Sequence, residues 1–342
     1  MNEHDATLSK PMESLNQADE GLEYNLRPES LREFIGQEKV KEQLRIHIEA
    51  AKRRKEALEH VILVGPPGLG KTTLAKIISN EMASNFKQGI GAVMERIDLA
   101  SMLTNLEVGD VLFIDEIHRI KGHVQESLYP AMEDYTLDLP IGQGPSAEIV
   151  QVPLSRFTLV GATTREGLLA GPFRDRFGIR LHLDYYTPGE IQIAVRRNSE
   201  KMGIGMDEAA EKELSRRSRG TMRIANKLLA NIRDYATVKG DGVITLDIAE
   251  EALEFFGIDD LGLDDSDRLY FRTLIENFKG RAGLKSLSVA LTEDERTVSE
   301  VYEPYYIKLG FLTLSPTGRV ATSAAHEHLG YESPDEQQPN FF

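Results

Sequence analysis

His60-Val61-Ile62-Leu63-Val64-Gly65-Pro66-Pro67-Gly68-Leu69-Gly70-Lys71-Thr72 joins an apolar run to a glycine- and proline-rich loop. Leu74, Ile77 and Ile78 then follow at helical spacing, so residues 72–82 are expected to form a helix. Strand, loop and helix in that order form the context in which G-x-x-x-x-G-K-[ST] cradles phosphate. The glycines let backbone N–H groups curl around phosphate oxygens, and the following helix N-terminus attracts the same charge. Lys71 supplies a point charge to the outer phosphates, and Thr72 offers its hydroxyl to magnesium.

Further along, Val111-Leu112-Phe113-Ile114 is a second apolar run, and it ends on Asp115-Glu116. A carboxylate pair closing a strand is ordinarily a solvated loop. Beside a phosphate loop, Asp115 is expected to hold magnesium and Glu116 to activate the attacking water. His118 needs no role beyond packing or polar contact. Phe157-Thr158-Leu159-Val160-Gly161 reads as a third buried strand. Apolar strands separated by helical stretches imply an α/β fold, a parallel sheet covered on both faces.

The remaining segments are organised differently. Thr136-Leu137-Asp138-Leu139-Pro140-Ile141 and Ile149-Val150-Gln151-Val152-Pro153 both alternate about a Gly142–Pro145 turn, a β-hairpin that either protrudes or edges the sheet. From Thr187 the pattern is helical, with Pro188 opening one helix and Asp207, Thr221 and Thr245 placed to cap three more. Residues 187–257 therefore form a small helical domain. After an acidic, glycine-containing linker, helices over 266–279, 284–291 and 296–309 precede two short strands joined by Ser315-Pro316-Thr317-Gly318, the outline of a winged helix.

Composition bounds the chemistry. The chain has 342 residues, 41% of them apolar and 28% charged, which suits a folded protein of two or three domains. It has no cysteine, which excludes a disulfide scaffold, a thiolate zinc site and cysteine catalysis. Its start carries Glu3, Asp5, Glu13, Asp19, Glu20 and Glu23 against Lys10, unlike a secretory or transit signal. No apolar run is long enough to span a membrane, and the expected location is cytoplasmic. Much of the net charge of −15 lies in that start and in the closing stretch with Glu332, Asp335 and Glu336, so a local basic surface for DNA remains open.

GPPGLGKTTLA (65–75), DVLFIDEIHR (110–119), LYPAMEDY (128–135), GATTR (161–165), RDRFGI (174–179) and RIAN (223–226) together resemble the RuvB family of Holliday-junction branch-migration ATPases. The likeness runs from about Leu26 to Gly330. It implies an AAA+ P-loop core with a parallel sheet over 24–186, a helical lid over 187–257 and a C-terminal winged-helix domain over 258–330. Disordered acidic tails are expected over 1–23 and 331–342. It further implies ATP and Mg2+ as ligands, with nucleotide contacts from Leu26, Arg27, Gly68, Gly70, Lys71, Thr72, Thr73, Glu133, Asp134, Tyr135 and Tyr186.

Thr163 and Thr164 stand where the family keeps its first γ-phosphate sensor, and the ATTR alignment favours Thr164. Arg176, the arginine directly before Phe177, corresponds to the finger that completes a neighbouring subunit's pocket. Arg223 matches the second sensor, although Met222 stands where proline is usual. The resemblance also implies a homohexameric ring on duplex DNA and at Holliday junctions, docking to RuvA near Ile141, and a RuvC-type resolvase in the resolving complex. Arg296 and Arg319 are the expected DNA contacts; Leu314 and Thr317 occupy positions where relatives often carry arginine. A loader-like nucleotide switch is the alternative reading, but it has no use for a winged helix. The closing Gln338-Pro339-Asn340-Phe341-Phe342 matches the short bacterial sliding-clamp-binding pattern.

Overall fold

The computed structural model describes residues 26–141 and 148–332. The proposed acidic tails, apart from 331–332 at the second, the Gly142–Pro145 turn and the clamp-type pattern lie outside those residues. The chain divides into two compact units, one ending at Tyr186 and the other beginning at Thr187.

In the first unit, β1 (Val61–Val64), β2 (Phe86–Ile90), β3 (Val111–Asp115), β6 (Thr158–Thr163) and β7 (Ile179–His182) form one sheet in the order β2-β3-β6-β1-β7. All of its pairings are parallel. The three central strands are those the sequence marks as buried. Ile62, Leu63, Leu112, Phe113, Ile114, Leu159 and Val160 are fully buried, because helices cover both faces. Burial of each such side chain stabilises the unit by about 1.5–3 kcal/mol. Two strands escape the sequence reading, and both are edges. Phe86-Lys87-Gln88-Gly89-Ile90 is too polar to stand out, and Ile179-Arg180-Leu181-His182 buries only alternate residues.

Helix α1 (Glu38–Arg54) buries Val40, Leu44, Ile48 and Ala51 on one stripe. Helix α2 (Lys71–Met82) buries Leu74, Ala75, Ile77 and Ile78. Helices α3 (Arg96–Thr104) and α4 (Gly122–Glu133) complete the layer over Leu112 and Ile114. A short α5 (Gly171–Arg174) leads into β7. The hairpin strands β4 (Thr136–Ile141) and β5 (Glu148–Pro153) pair only with each other, from Thr136↔Pro153 to Ile141↔Glu148. They are a separate ribbon, not an edge of the main sheet. Leu137 anchors its root in the core, while Ile149 is 73% exposed.

The second unit opens with α6 (Pro188–Lys201), α7 (Glu208–Arg217), α8 (Met222–Lys239) and α9 (Leu246–Phe255). Each N-terminus is closed by a side chain, the last three by those the sequence marks. Thr187 accepts from Glu190 N–H, Asp207 from Ala210, Thr221 from Ile224 and Thr245 from Ile248. Next come α10 (Asp265–Arg272), β8 (Arg281–Ala282), α11 (Leu284–Leu291), α12 (Glu303–Lys308), β9 (Leu312–Ser315), β10 (Gly318–Ala321) and α13 (Ser323–His328). The expected ribbon gains β8, giving a sheet in the order β8-β10-β9. The first and third helices are not regular throughout: residues Thr273–Asn277 and Thr297–Tyr302 widen into π turns.

Two buried carboxylates organise this last domain. Asp267 is paired with Arg219, from the loop between α7 and α8, and accepts a hydrogen bond from the Tyr306 hydroxyl at 2.6 Å. Glu303 accepts Arg319 Nε at 2.7 Å and Nη2 at 3.1 Å, and the Tyr270 hydroxyl at 3.2 Å. The Tyr270 and Tyr306 rings lie 4.8 Å apart, so the two pairs share one core. Arg219 also donates to the Gly262 carbonyl at 2.7 Å, bracketing the four-helix lid to the winged helix.

Candidate functional site

The sheet register sets the site. Val64 lies beside Thr163, and Ile114 beside Gly161, so the carboxyl ends of β1, β3 and β6 are adjacent. The phosphate loop leaves β1, Asp115-Glu116 close β3, and Thr163-Thr164 close β6. In open parallel sheets this end is where ligands bind.

The loop is held from below. Gly65 N–H donates to the Thr163 carbonyl at 3.1 Å, and a Cβ at Gly65 would meet the Leu183 carbonyl oxygen at 2.6 Å. Gly70, at φ 91°, caps α2 and would press a Cβ to 3.1 Å from the Phe34 ring. Only glycine meets both conditions. Lys71 begins α2 with its ammonium donating to the Gly65 and Pro66 carbonyl oxygens at 2.7 and 2.8 Å. Thr72 and Thr73 are half-buried in the first turn of that helix. The Tyr186 hydroxyl donates to the Leu69 carbonyl at 2.8 Å, tying the end of the first unit to the loop. Leu26 is buried and Arg27 half-buried.

Asp115 and Glu116 are half-buried, and Asp115 Oδ1 accepts the Glu116 N–H at 2.9 Å. Glu116 takes the left-handed conformation, φ 49° and ψ 44°. Such backbone costs a residue with a Cβ roughly 1–2 kcal/mol and persists only where its surroundings enforce it.

The two threonines differ. Thr163 is fully buried and its hydroxyl is engaged, accepting Arg165 N–H at 2.9 Å and lying 2.8 Å from His118 Nδ1. Thr164 Oγ1 is buried and has no hydrogen-bond partner among the described residues. A buried orphan hydroxyl at this strand end fits a phosphate or water oxygen as its missing partner.

Arg174 ends α5 and Arg176 follows it, but Asp175 pairs with Arg180 at 2.9 Å and, among the described residues, not with either of them. The Arg176 guanidinium lies over the Tyr129 ring at 4.4 Å, with Nη2 3.0 Å from Glu133 and Nη1 donating to Pro172 O at 2.6 Å. Tyr129 and Glu133 are one helical turn apart on α4, inside the LYPAMEDY string whose physical purpose the sequence did not reveal. Asp134 ends that helix. Tyr135, at φ 53°, makes the corner into the ribbon, with Arg156 over its ring at 5.3 Å.

In the second unit, Arg223 is exposed in the first turn of α8. Arg296 is exposed before the second π turn. Arg319, expected as a wing charge for DNA, is held side-on to buried Glu303, because that carboxylate has to be paired inside the core. Only its Nη1 makes none of the described hydrogen bonds. Leu314, its cross-strand neighbour, is 53% exposed. The sequence also gave no sign of Arg219, Asp267 and Glu303; alternation of charge and tyrosine on α10 and α12 was the available signal.

Comparison with known proteins covers the whole of this framework. Residues 26–183 match the Holliday junction DNA helicase RuvB P-loop domain, 186–259 the RuvB AAA lid domain, and 260–330 the RuvB C-terminal winged helix domain. The chain is 48% identical to the Thermotoga maritima RuvB Holliday junction branch migration motor, covering 91% of this chain and 100% of that one at a TM-score of 0.83. Two single-substitution variants of the same Thermotoga maritima protein match at 47% and 48% identity. They cover 90% of this chain and 99% and 100% of their own, each with a TM-score of 0.84.

Proposed function

This chain belongs to the RuvB family of Holliday junction branch migration motors, and from that membership we propose that it is an ATP-driven subunit of a hexameric ring. The ring encircles duplex DNA and draws the arms of a four-way junction through itself during recombination and repair. RuvA presents the junction, and a RuvC-type resolvase joins the resolving complex. The observation that carries this reading is the convergence of the phosphate loop, Asp115-Glu116 and the orphan Thr164 hydroxyl at three adjacent strand ends.

In this reading Leu26, Arg27 and Tyr186 border the base, while the loop N–H groups, Lys71 and Thr73 bind the phosphates. Thr72 and Asp115 would hold Mg2+, which when bound neutralises phosphate charge. Glu116 accepts the proton of the attacking water, and Thr164 donates to the outer phosphate or to that water. Arg176 neutralises charge in the adjoining subunit's pocket, a contribution of roughly 10³–10⁵ in rate. Glu133 and Tyr129 hold that arginine, and Arg223 acts as the second sensor. Assembly is thereby required for turnover, and one subunit's hydrolysis is felt by the next.

The winged helix is the DNA side. Arg296 and the outer nitrogen of Arg319 contact phosphates, with Lys308 sharing the load that Leu314 and Thr317 do not carry. Contacts to the backbone suit a motor that must tolerate every sequence, and they make binding fall steeply with salt. The ribbon carrying Ile141, with exposed Ile149 beside it, is the docking edge for RuvA. The action is cytoplasmic; among the described residues no helix is long and apolar enough to cross a membrane. A weaker clamp contact through Phe341-Phe342 would show as lost clamp recovery when those residues are removed.

ATP-dependent movement of a synthetic four-way junction with RuvA tests the proposal. The wild-type chain moves it, and Lys71→Ala does not. A wild-type chain that binds the junction and hydrolyses ATP but never moves it would favour the loader-like switch instead.

A further inference from the structure

His118 has no part in the chemistry above, yet its side chain is only 4% exposed and bridges two elements of the site. Nδ1 lies 2.8 Å from Thr163 Oγ1, and Nε2 lies 3.5 Å from Glu116 Oε2. The hydrogen-bond inventory sets the direction of this chain. The Thr163 oxygen already accepts the Arg165 N–H, a group that can only donate. A buried hydroxyl has one proton to place, and among the described residues the imidazole Nδ1 is the acceptor in reach. Nδ1 therefore accepts. With Nδ1 accepting, the ring N–H is at Nε2, the nitrogen facing Glu116.

The Glu116 backbone is independently pinned. Its carbonyl accepts Arg119 N–H at 2.8 Å, and a Cβ at Gly91 would lie 2.5 Å from that carbonyl oxygen. With a left-handed backbone fixed in this way, the carboxylate's aim depends on what meets it beyond Cβ, and the imidazole meets it. On the other side of His118, Thr163 is directly followed by Thr164, whose hydroxyl is the orphan.

We propose that His118 is a positioning residue for Glu116: it aims the carboxylate through Nε2–H and ties it, through the Thr163 hydroxyl, to the strand end bearing Thr164. The ring exchanges no proton with the attacking water. Displacement of the β6 end by an outer phosphate is thereby felt at the base that activates water. This inference rests on the reading of Glu116 as that base.

The test measures DNA-stimulated turnover of the full chain, with kcat and KM separated, and binding of a fluorescent ADP. The variants are E116Q, H118A, H118N, H118Q and the E116Q/H118A pair. A positioned base contributes ~10²–10⁴, and loss of its positioning in H118A is expected to lower kcat about tenfold while KM and ADP affinity stay within about twofold. H118Q, whose amide N–H reaches the Nε2 position, recovers about threefold or more of that loss, whereas H118N, which replaces only Nδ1, recovers none. In the E116Q background H118A adds nothing.

An unchanged kcat in H118A, equal behaviour of H118Q and H118N, or the same loss in the E116Q background would each overturn the proposal. Should H118A fail to fold, the contrast between H118Q and H118N decides. Undiminished turnover in E116Q would instead remove the reading of Glu116 itself.

Discussion

The guanidinium of Arg176 lies 4.4 Å above the ring of Tyr129, with Glu133, one turn along the same helix, 3.0 Å from its Nη2. The ring orients a cation that is assigned to a neighbour's pocket, and a stacked guanidinium is worth ~0.5–2 kcal/mol. Tyr129→Leu keeps the apolar contact and removes the π face. It is expected to lower assembled turnover about three- to tenfold with nucleotide affinity unchanged. Steady-state kinetics beside a nucleotide titration check this; equal losses in kcat and affinity would contradict it.

Thr164 offers a cleaner separation. Its hydroxyl makes no protein hydrogen bond among the described residues, so Thr164→Val removes none and fills the same space. Denaturant unfolding should therefore shift by less than about 1 kcal/mol, while turnover falls by about 10²-fold or more. Thr163→Val, by contrast, strands the Arg165 N–H and should cost about 1–3 kcal/mol of stability. The pair of variants, measured together, distinguishes a sensor from a strut.

His60 is a pH-dependent element of the core. Its Nδ1 accepts Leu159 N–H at 2.9 Å, and Nε2 donates to the Met132 carbonyl at 3.1 Å. Burial holds its pKa below the ordinary 6.5, against weaker opposing pulls from the Met132 carbonyl and Glu59. The unfolded chain therefore binds a proton that the folded chain refuses. Stability from this group is full above pH 6.5 and declines as pH falls below it. His60→Leu should lower stability at pH 8 by about 1–3 kcal/mol and flatten the slope between pH 7 and 5. Urea midpoints at several pH values report both effects.

Arg219 carries the join between lid and winged helix. Burial raises the Asp267 pKa, against the pull of the Arg219 charge, so removing the arginine leaves an uncompensated buried carboxylate. Arg219→Ala is expected to destabilise the chain by about 3–5 kcal/mol, and Asp267→Asn in that background to recover part of the loss. Chemical denaturation of the full chain measures each. Independent, additive losses would mean that the two residues do not act as a pair.

The parts of the fold legible in the sequence are those where local chemistry is decisive. A mostly apolar run is needed only by a strand covered on both faces, so β1, β3 and β6 announced themselves and the edges β2 and β7 did not. Asp207, Thr221 and Thr245 were readable because a side-chain oxygen at a helix start has one common use. The placement of Lys71, Asp115 and Glu116 at adjacent strand ends was readable because the motif spacing implies it. Arg319 was not, because its partner Glu303 lies on another element and only folding brings a buried carboxylate against it. The same is true of His118, whose contacts come from residues on either side of a sheet crossover, and of Tyr129, whose ring is just another apolar position until Arg176 arrives.

The claim that hydrolysis takes place in a pocket completed by a second copy is tested most directly by mixing two inactive variants. Arg176→Ala keeps Glu116 and lacks the finger; Glu116→Gln keeps the finger and lacks the base. Each alone should hydrolyse ATP at background rates on DNA. In an equal mixture, random assembly places a finger-bearing neighbour beside a base-bearing pocket at about a quarter of the sites, and turnover should reappear in that proportion. If the mixture stays as inactive as its components, or if Arg176→Ala alone retains full turnover, the finger does not act across subunits.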